Sequence, residues 1–201
     1  MSRKLLWAFV LCTTLMAGFQ GCRSLTPSVT YYVISPMTAG SVSVADTDGS
    51  RAMTVGIRAV ELPGYVNRTQ MVKRAGQNQL EIASFHHWAD YPDRMVQRVI
   101  GENLQLLMAD AQVYSAPWPT GLKPDVTVDV TFLELIGTTD QAMLLSAVWT
   151  FTGKSDPAAA QFHRTALTEP MPASRFDDLA AAHSRVLEIL CRKVAESLYA
   201  F

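Results

Sequence analysis

The chain has 201 residues, 49% hydrophobic and 17% charged, enough for one domain with a sizeable core and too apolar for a disordered polymer. Net charge is −1. Without residues 1–21, which carry Arg3 and Lys4, 15 basic side chains face 18 acidic ones, a net of −3. No basic run or interleaved aromatic patch remains, which argues against a nucleic-acid partner.

The chain opens with Ser2-Arg3-Lys4 and the apolar run LLWAFVLCTTLMA, a basic region followed by a short hydrophobic one. That run falls short of the ~20 residues a transmembrane helix needs, so export with processing is expected over residues 1–21. Phe19-Gln20-Gly21-Cys22 follows. A small residue directly before a cysteine is the pattern of a lipoprotein leader, and Gly21-Cys22 satisfies it. Phe19 and Gln20 depart from the usual leucine and small residue further back. Cys22 is therefore the expected lipidation site, with residues 22–30 as a tether rich in Ser, Thr and Pro. The acyl chains would each bury many methylenes at ~0.8 kcal/mol apiece, enough for stable attachment. A conventional leader cut elsewhere, leaving Cys22 a stray thiol, is the other reading. Cys191, the remaining cysteine outside the leader, lies on an apolar helix face and reads as a small buried hydrophobe.

Residues 31–201 read as one domain. Tyr31 to Ser35 is a short β-rich run stopped by Pro36, and Pro36 to Ala52 has loop composition without sustained pattern. Val55, Ile57 and Ala59 alternate with Thr54, Gly56 and Arg58 as a strand; Pro63-Gly64 then turns the chain. Gly76-Gln77-Asn78 separates Thr69–Ala75 from Leu80–Phe85 as a hairpin. Val96, Val99, Ile100, Leu104 and Leu107 form one stripe of a helix beginning near Asp90, with Pro92 in its first turn, and ending by Asp110. Gln112 to Ser115 is a brief strand before Ala116-Pro117-Trp118. Asp125–Phe132 and Met143–Phe151 alternate cleanly as the centre of an antiparallel sheet, and Gln161–Thr168 is a weaker, edge strand. Ser174 is expected to cap a last helix, with Asp177 completing a capping box, and Leu179, His183, Val186, Leu187, Leu190, Val194 and Leu198 give that helix its apolar stripe. Some seven strands and two helices predict an α+β fold: a mostly antiparallel sheet with two long amphipathic helices packed on one face.

Two stretches carry a resemblance. ELPGYVNRTQMV, from Glu61 to Val72, resembles a "VELP-x-Y-h-x-R-x-Q-h-V" turn, and HHWADYPDRMVQRVIGENL, from His86 to Leu104, resembles an "RWAEPL…RVhxxNL" entry into a first helix. Tyr31-Tyr32, Ala116-Pro117-Trp118, the strand from Val126 to Phe132 and Ala182-His183-Ser184 extend the match. The family is the PqiC-type lipoproteins, the ABC-transport auxiliary lipoproteins of the bacterial envelope. His87 stands where that family more often carries arginine. The resemblance implies an outer-membrane lipoprotein facing the periplasm. Its partners would be an MCE-domain tunnel protein (PqiB-like) and an inner-membrane PqiA-like protein, with a homo-oligomeric ring of copies. Arg23 and Ser24 after Cys22, in place of aspartate, imply sorting to the outer membrane.

The residues themselves offer little catalysis. Adjacent His86 and His87 on an extended segment point to opposite sides and do not chelate one ion. An HHxxxDG acyltransferase motif is not met, since Asp90 comes one residue early without a following glycine. Ser146 and Ser184 lack a glycine-framed elbow. His183 reads as a hydrogen-bonded core histidine, and Asp125 and Asp129 as solvated carboxylates on a polar strand face. No catalytic residue, metal or cofactor is expected. The residues singled out for partner binding are Glu61, Leu62, Pro63, Tyr65 and Arg68, an apolar turn tip flanked by charge. Tyr65 is either a lid folded onto the core or an exposed anchor. The function expected is docking in lipid transport; the alternative is a lipoprotein that itself cups a lipid or other apolar ligand.

Overall fold

Val126, Val128, Val130 and Phe132 are buried while Thr127, Asp129 and Thr131 between them are half-buried, and the strand they begin is the axis of the fold. The structure, a computed structural model, describes residues 27–38, 53–156 and 158–201. The expected leader, Cys22 and most of the tether lie outside the described residues, as does the Pro36–Ala52 loop beyond Thr38.

In chain order the elements are β1 (Thr30–Tyr32), β2 (Met53–Glu61), β3 (Gln70–Gly76), β4 (Gln79–Trp88), α1 (Pro92–Leu107), β5 (Ala111–Ser115), β6 (Val126–Thr138), β7 (Ala142–Gly153), β8 (Gln161–Pro170) and α2 (Phe176–Tyr199). One edge of β6 pairs with β7 along almost its whole length, and β7 with β8. The other edge is shared. β2 runs beside it as far as Glu61 opposite Thr131, and β3 joins at Lys73 opposite Gly137. β5 extends the sheet beyond β2, while β4 and then β1 extend it beyond β3. α1 packs over β2 and β5, α2 over β6, β7 and β8, and the helices pack on each other.

The result is a mixed α/β fold with an eight-stranded sheet and two helices, and the expectation of a mostly antiparallel sheet is corrected. Four of the seven strand pairings are parallel. The three antiparallel ones all join consecutive strands across turns, at 76–79, 138–142 and 153–161. Every parallel pair joins strands distant in sequence, and alternation within a strand carries no information about such crossovers. The return from β5 to β6 passes directly over β2 at Gly56. A Cβ there would collide with the Pro124 ring and lie 2.7 Å from Trp118 Cζ2, so only glycine lets this crossing close.

Both helices bury the stripes their spacing predicts. In α1 Val96, Val99, Ile100 and Leu104 are buried while Leu107 is half-buried; in α2 all seven residues named above are buried. The cap at Ser174 is not formed. Arg175 is the N-cap residue and makes no side-chain cap, whereas Ser174 offers its carbonyl to Lys73 Nζ at 2.9 Å. Asp177 and Asp178 in the first turn complement the helix dipole instead.

The segment after β1 is sewn to both helices. Ile34 carbonyl accepts from Arg98 at 2.9 Å, Ser35 N–H donates to Ser184 Oγ at 3.0 Å, and Met37 N–H donates to Asn103 Oδ1 at 2.8 Å. Asn103 is fully buried, and its amide also reaches Cys191 Sγ at 3.8 Å. Losing a buried partner costs about 1–3 kcal/mol. An exposed i,i+4 ion pair such as Arg98–Glu102 is worth about 0.5 kcal/mol. Asn103→Leu should therefore lower the urea midpoint clearly and Glu102→Gln barely. Equal midpoints in the two variants would contradict the assignment.

Candidate functional site

The turn singled out from the sequence occupies a gap in the sheet. Between Thr131 and Gly137, residues 132–136 of β6 have no strand partner on the edge shared by β2 and β3. The β2–β3 connection runs there. It turns at Pro63, whose carbonyl accepts from Val66 N–H at 3.0 Å and Asn67 N–H at 3.2 Å. Val66 is buried and packs with Val72 and Ile136, and Leu62 joins them. The lid is therefore Val66, while Tyr65 stays 36% exposed. Burial holds the Tyr65 phenol above its ordinary 10; Glu134 adds to that shift and Arg74 opposes it. Arg74 and Glu134 are themselves paired at 2.6 Å.

Of the remaining named residues, Glu61 is exposed at the end of β2, and Leu62, Pro63 and Arg68 are half-buried. Arg68 Nε is buried without a hydrogen-bond partner, a costly state for a guanidinium donor. The turn also reaches the first helix: Asp93 N–H donates to Asn67 Oδ1 at 3.2 Å. Asn67 thus caps α1 from outside, a role the sequence did not disclose. Its only local signal was the lack of a Ser, Thr, Asp or Asn at the N-cap, which is Tyr91.

The histidine pair separates as expected. His86 stacks on Phe176 with ring centroids 4.2 Å apart, its Nδ1 2.8 Å from Tyr32 Oη. His87 lies on the other side, edge-on to Tyr31. Asp90 joins neither; it accepts from Tyr91 N–H at 2.7 Å. The two strand carboxylates are not simply solvated. Asp129 is gripped by Arg58, and Asp125 accepts from Thr54 N–H at 3.0 Å. Among the described residues no three His, Cys, Asp or Glu gather as metal ligands, and no helix is long and apolar enough to cross a membrane.

A lipid-cupping protein needs room between sheet and helices. The cavity there, bounded by Leu62, Val66, Trp88, Val96, Leu135 and His183, measures about 10 Å³. Small-molecule pockets run to roughly 300–1,000 Å³. A larger groove of about 600 Å³ between α1 and β5 is open to solvent, with Arg94, Arg98 and Glu102 lining it together with Val113, Ala116 and Pro117.

A family model for the ABC-type transport auxiliary lipoprotein component matches residues 32–195. The chain belongs to that family. Membership makes it an auxiliary lipoprotein component of ABC-type transport, a family of the cell envelope. No curated protein matches the sequence. Two crystal structures share the fold. One, of an uncharacterised protein, superposes with a TM-score of 0.70 at 17% identity, covering 86% of this chain and 99% of its own. The other, of a protein from Xanthomonas campestris, gives 0.66 at 11% identity, covering 83% and 93%.

His183 is buried against Trp88, with ring centroids 5.0 Å apart, and its Nδ1 lies 2.8 Å from Leu179 carbonyl. Burial lowers its pKa from 6.5 to about 4, against the opposing hydrogen bond. The unfolded chain takes the proton near 6.5 and the folded one only near 4, so stability is full above 6.5 and falls across that window. The shift corresponds to about 3 kcal/mol at its acid end. Urea unfolding should weaken from pH 7 to 4.5, and His183→Gln should flatten that slope. A wild-type profile level across the window would contradict it.

Proposed function

We propose that this auxiliary lipoprotein is the outer-membrane subunit of a PqiABC-like MCE system for intermembrane lipid transport. It docks the periplasmic tunnel of an MCE-domain, PqiB-like protein to the outer membrane, with a PqiA-like protein at the inner-membrane end. Cys22, acylated after removal of residues 1–21, holds residues 31–201 at the periplasmic face, and several copies form a ring around the tunnel mouth. A lipid tail cannot cross water unaided, so the conduit has to be held against the membrane it serves. The observation that carries this reading is the family match over residues 32–195; the expected leader of residues 1–21, cut before Cys22, agrees with it.

Glu61, Leu62, Pro63, Tyr65 and Arg68 form the proposed partner contact. Support comes from an exposed tyrosine and a half-buried arginine within one turn, held in position by Val66 beneath and Asn67 on α1. Tyrosine and arginine are the residue types that dominate interface energetics.

Affinity capture of the tagged full-length protein from envelope membranes should bring an MCE protein with it. Tyr65→Ala combined with Arg68→Ala should cut that recovery at least tenfold while the thermal unfolding midpoint stays within a few degrees. Cys22→Ala should move the protein out of the outer-membrane fraction. Undiminished capture by the double variant removes the turn from the interface; retention of Cys22→Ala in the outer membrane removes the anchor.

A further inference from the structure

The parallel register of β1 on β4 sorts their side chains by parity. Thr30, Tyr31 and Tyr32 lie opposite His86, His87 and Trp88. Tyr32 and Ile34 face the helices with His86 and Trp88, and Ile34 and Trp88 are 1% and 4% exposed. The odd positions face away. Val29, Tyr31, Val33 and Phe85 are 41%, 66%, 57% and 37% exposed. Past the irregularity in β4, Ile82 beside Val72 and Leu80 beside Arg74 continue the strip, at 46% and 39%. Half of the large exposed apolar side chains among the described residues lie on these two strands and the residues flanking β1.

This face is also poor in charge. Residues 27–38 contain no Asp, Glu, Lys or Arg, and β4 contains only Glu81, whose carboxylate lies 3.4 Å from Lys73 Nζ. Around β1 no carboxylate resists losing water, while at the Leu80 end of the strip Arg74 is paired with Glu134 at 2.6 Å. The strip also borders the tether. From Cys22 to Thr30 the backbone spans no more than about 28 Å fully extended. An acyl group at Cys22 would hold the β1 edge of the sheet near the lipid surface, with no comparable restraint on the β8 edge. β8 lies five strand spacings away across the sheet, or about 24 Å. Its exposed Phe162 sits near Arg164, also exposed.

We propose that the outer face of β1 and β4, built from Val29, Tyr31, Val33, Ile82 and Phe85, seats on the phospholipid bilayer beside the anchor. The inference rests on the lipid-anchor reading of Cys22 and adds an orientation to it. Tyrosine with its apolar body and polar tip suits the headgroup boundary, where Tyr31 leads the strip. Shallow contact of this kind reaches about 5–10 Å below the headgroups. The domain then lies edge-down on the membrane, with β8 and the far end of the sheet pointing into the periplasm.

Full-length processed protein carrying a single environment-sensitive label tests the orientation. Val33→Cys, Phe85→Cys and, as a control, Phe162→Cys are labelled one at a time. Cys191 is fully buried, and burial pushes its thiol up to about 12, so it stays unlabelled. The proteins are reconstituted into phosphatidylethanolamine–phosphatidylglycerol vesicles doped with a shallow nitroxide lipid. Labels at 33 and 85 should be quenched several-fold more than the label at 162. Protein that floats with vesicles but shows equal quenching at all three positions overturns the proposal and leaves the anchor standing. A label at 33 or 85 that is shielded from water yet unquenched means that another protein covers the strip, which also overturns it. Protein that fails to float at all removes the anchor and, with it, this face's reason to meet a bilayer.

Discussion

The constraint behind this molecule is the unequal use of β6. One edge is occupied along its length by β7, while the other is divided between β2 and β3, leaving residues 132–136 without a strand beside them. A gap in a sheet leaves backbone groups and apolar side chains to be covered by something other than a strand. Here the cover is the Leu62–Arg68 turn, with Val66 inserted against Ile136. The turn's shape is therefore dictated by the sheet. Once Val66 points in, its neighbour Tyr65 is left outward, and Asn67 falls where it can cap α1.

A second restraint acts at the N-terminal side. A protein held by its N-terminus transmits any load through the first residues of its fold. Those residues add only the three-residue β1 to the sheet, yet Arg98, Ser184 and Asn103 hold the backbone of Ile34, Ser35 and Met37 from both helices. Each hydrogen bond is worth about 1 kcal/mol in net terms, and the buried one to Asn103 more if broken. Such stitching fits a tethered role, because the pull meets the helix pair and not a fraying edge strand. It also fixes which side of β1 faces outward.

Much of this was legible locally. The alternation of β6 and β7 and the seven-residue stripe of α2 are written in spacings of two and of three to four, and they fold as spaced. The hairpin at Gly76–Gln79 and the turn at Pro63-Gly64 were likewise set by residues that favour reversal. Strand order was not legible, since the parallel pairings of β2 with β5 and β6 arise between segments dozens of residues apart. Within the candidate turn, the tip was visible but its polarity was not. Tyr65 and Val66 are both apolar neighbours, and only the gap in β6 decides which one goes inside. Asn103 was hidden for a related reason: inside an apolar stripe, a lone amide reveals its importance only when the backbone it receives is known.

Taken with its family, the molecule reads as a bracket: a mixed-sheet body whose cavity between sheet and helices, among the described residues, is about 10 Å³, joined in the proposed arrangement to a membrane by a short N-terminal leash. The acylated cysteine is the premise on which the docking role and the bilayer-facing strip both depend. Intact-mass spectrometry of the protein isolated from its native envelope reads that premise directly. The account predicts a chain beginning at Cys22 and carrying a diacylglyceryl group and an amide-linked acyl chain. A mature chain beginning elsewhere, or one whose Cys22 is an unmodified thiol, would contradict it.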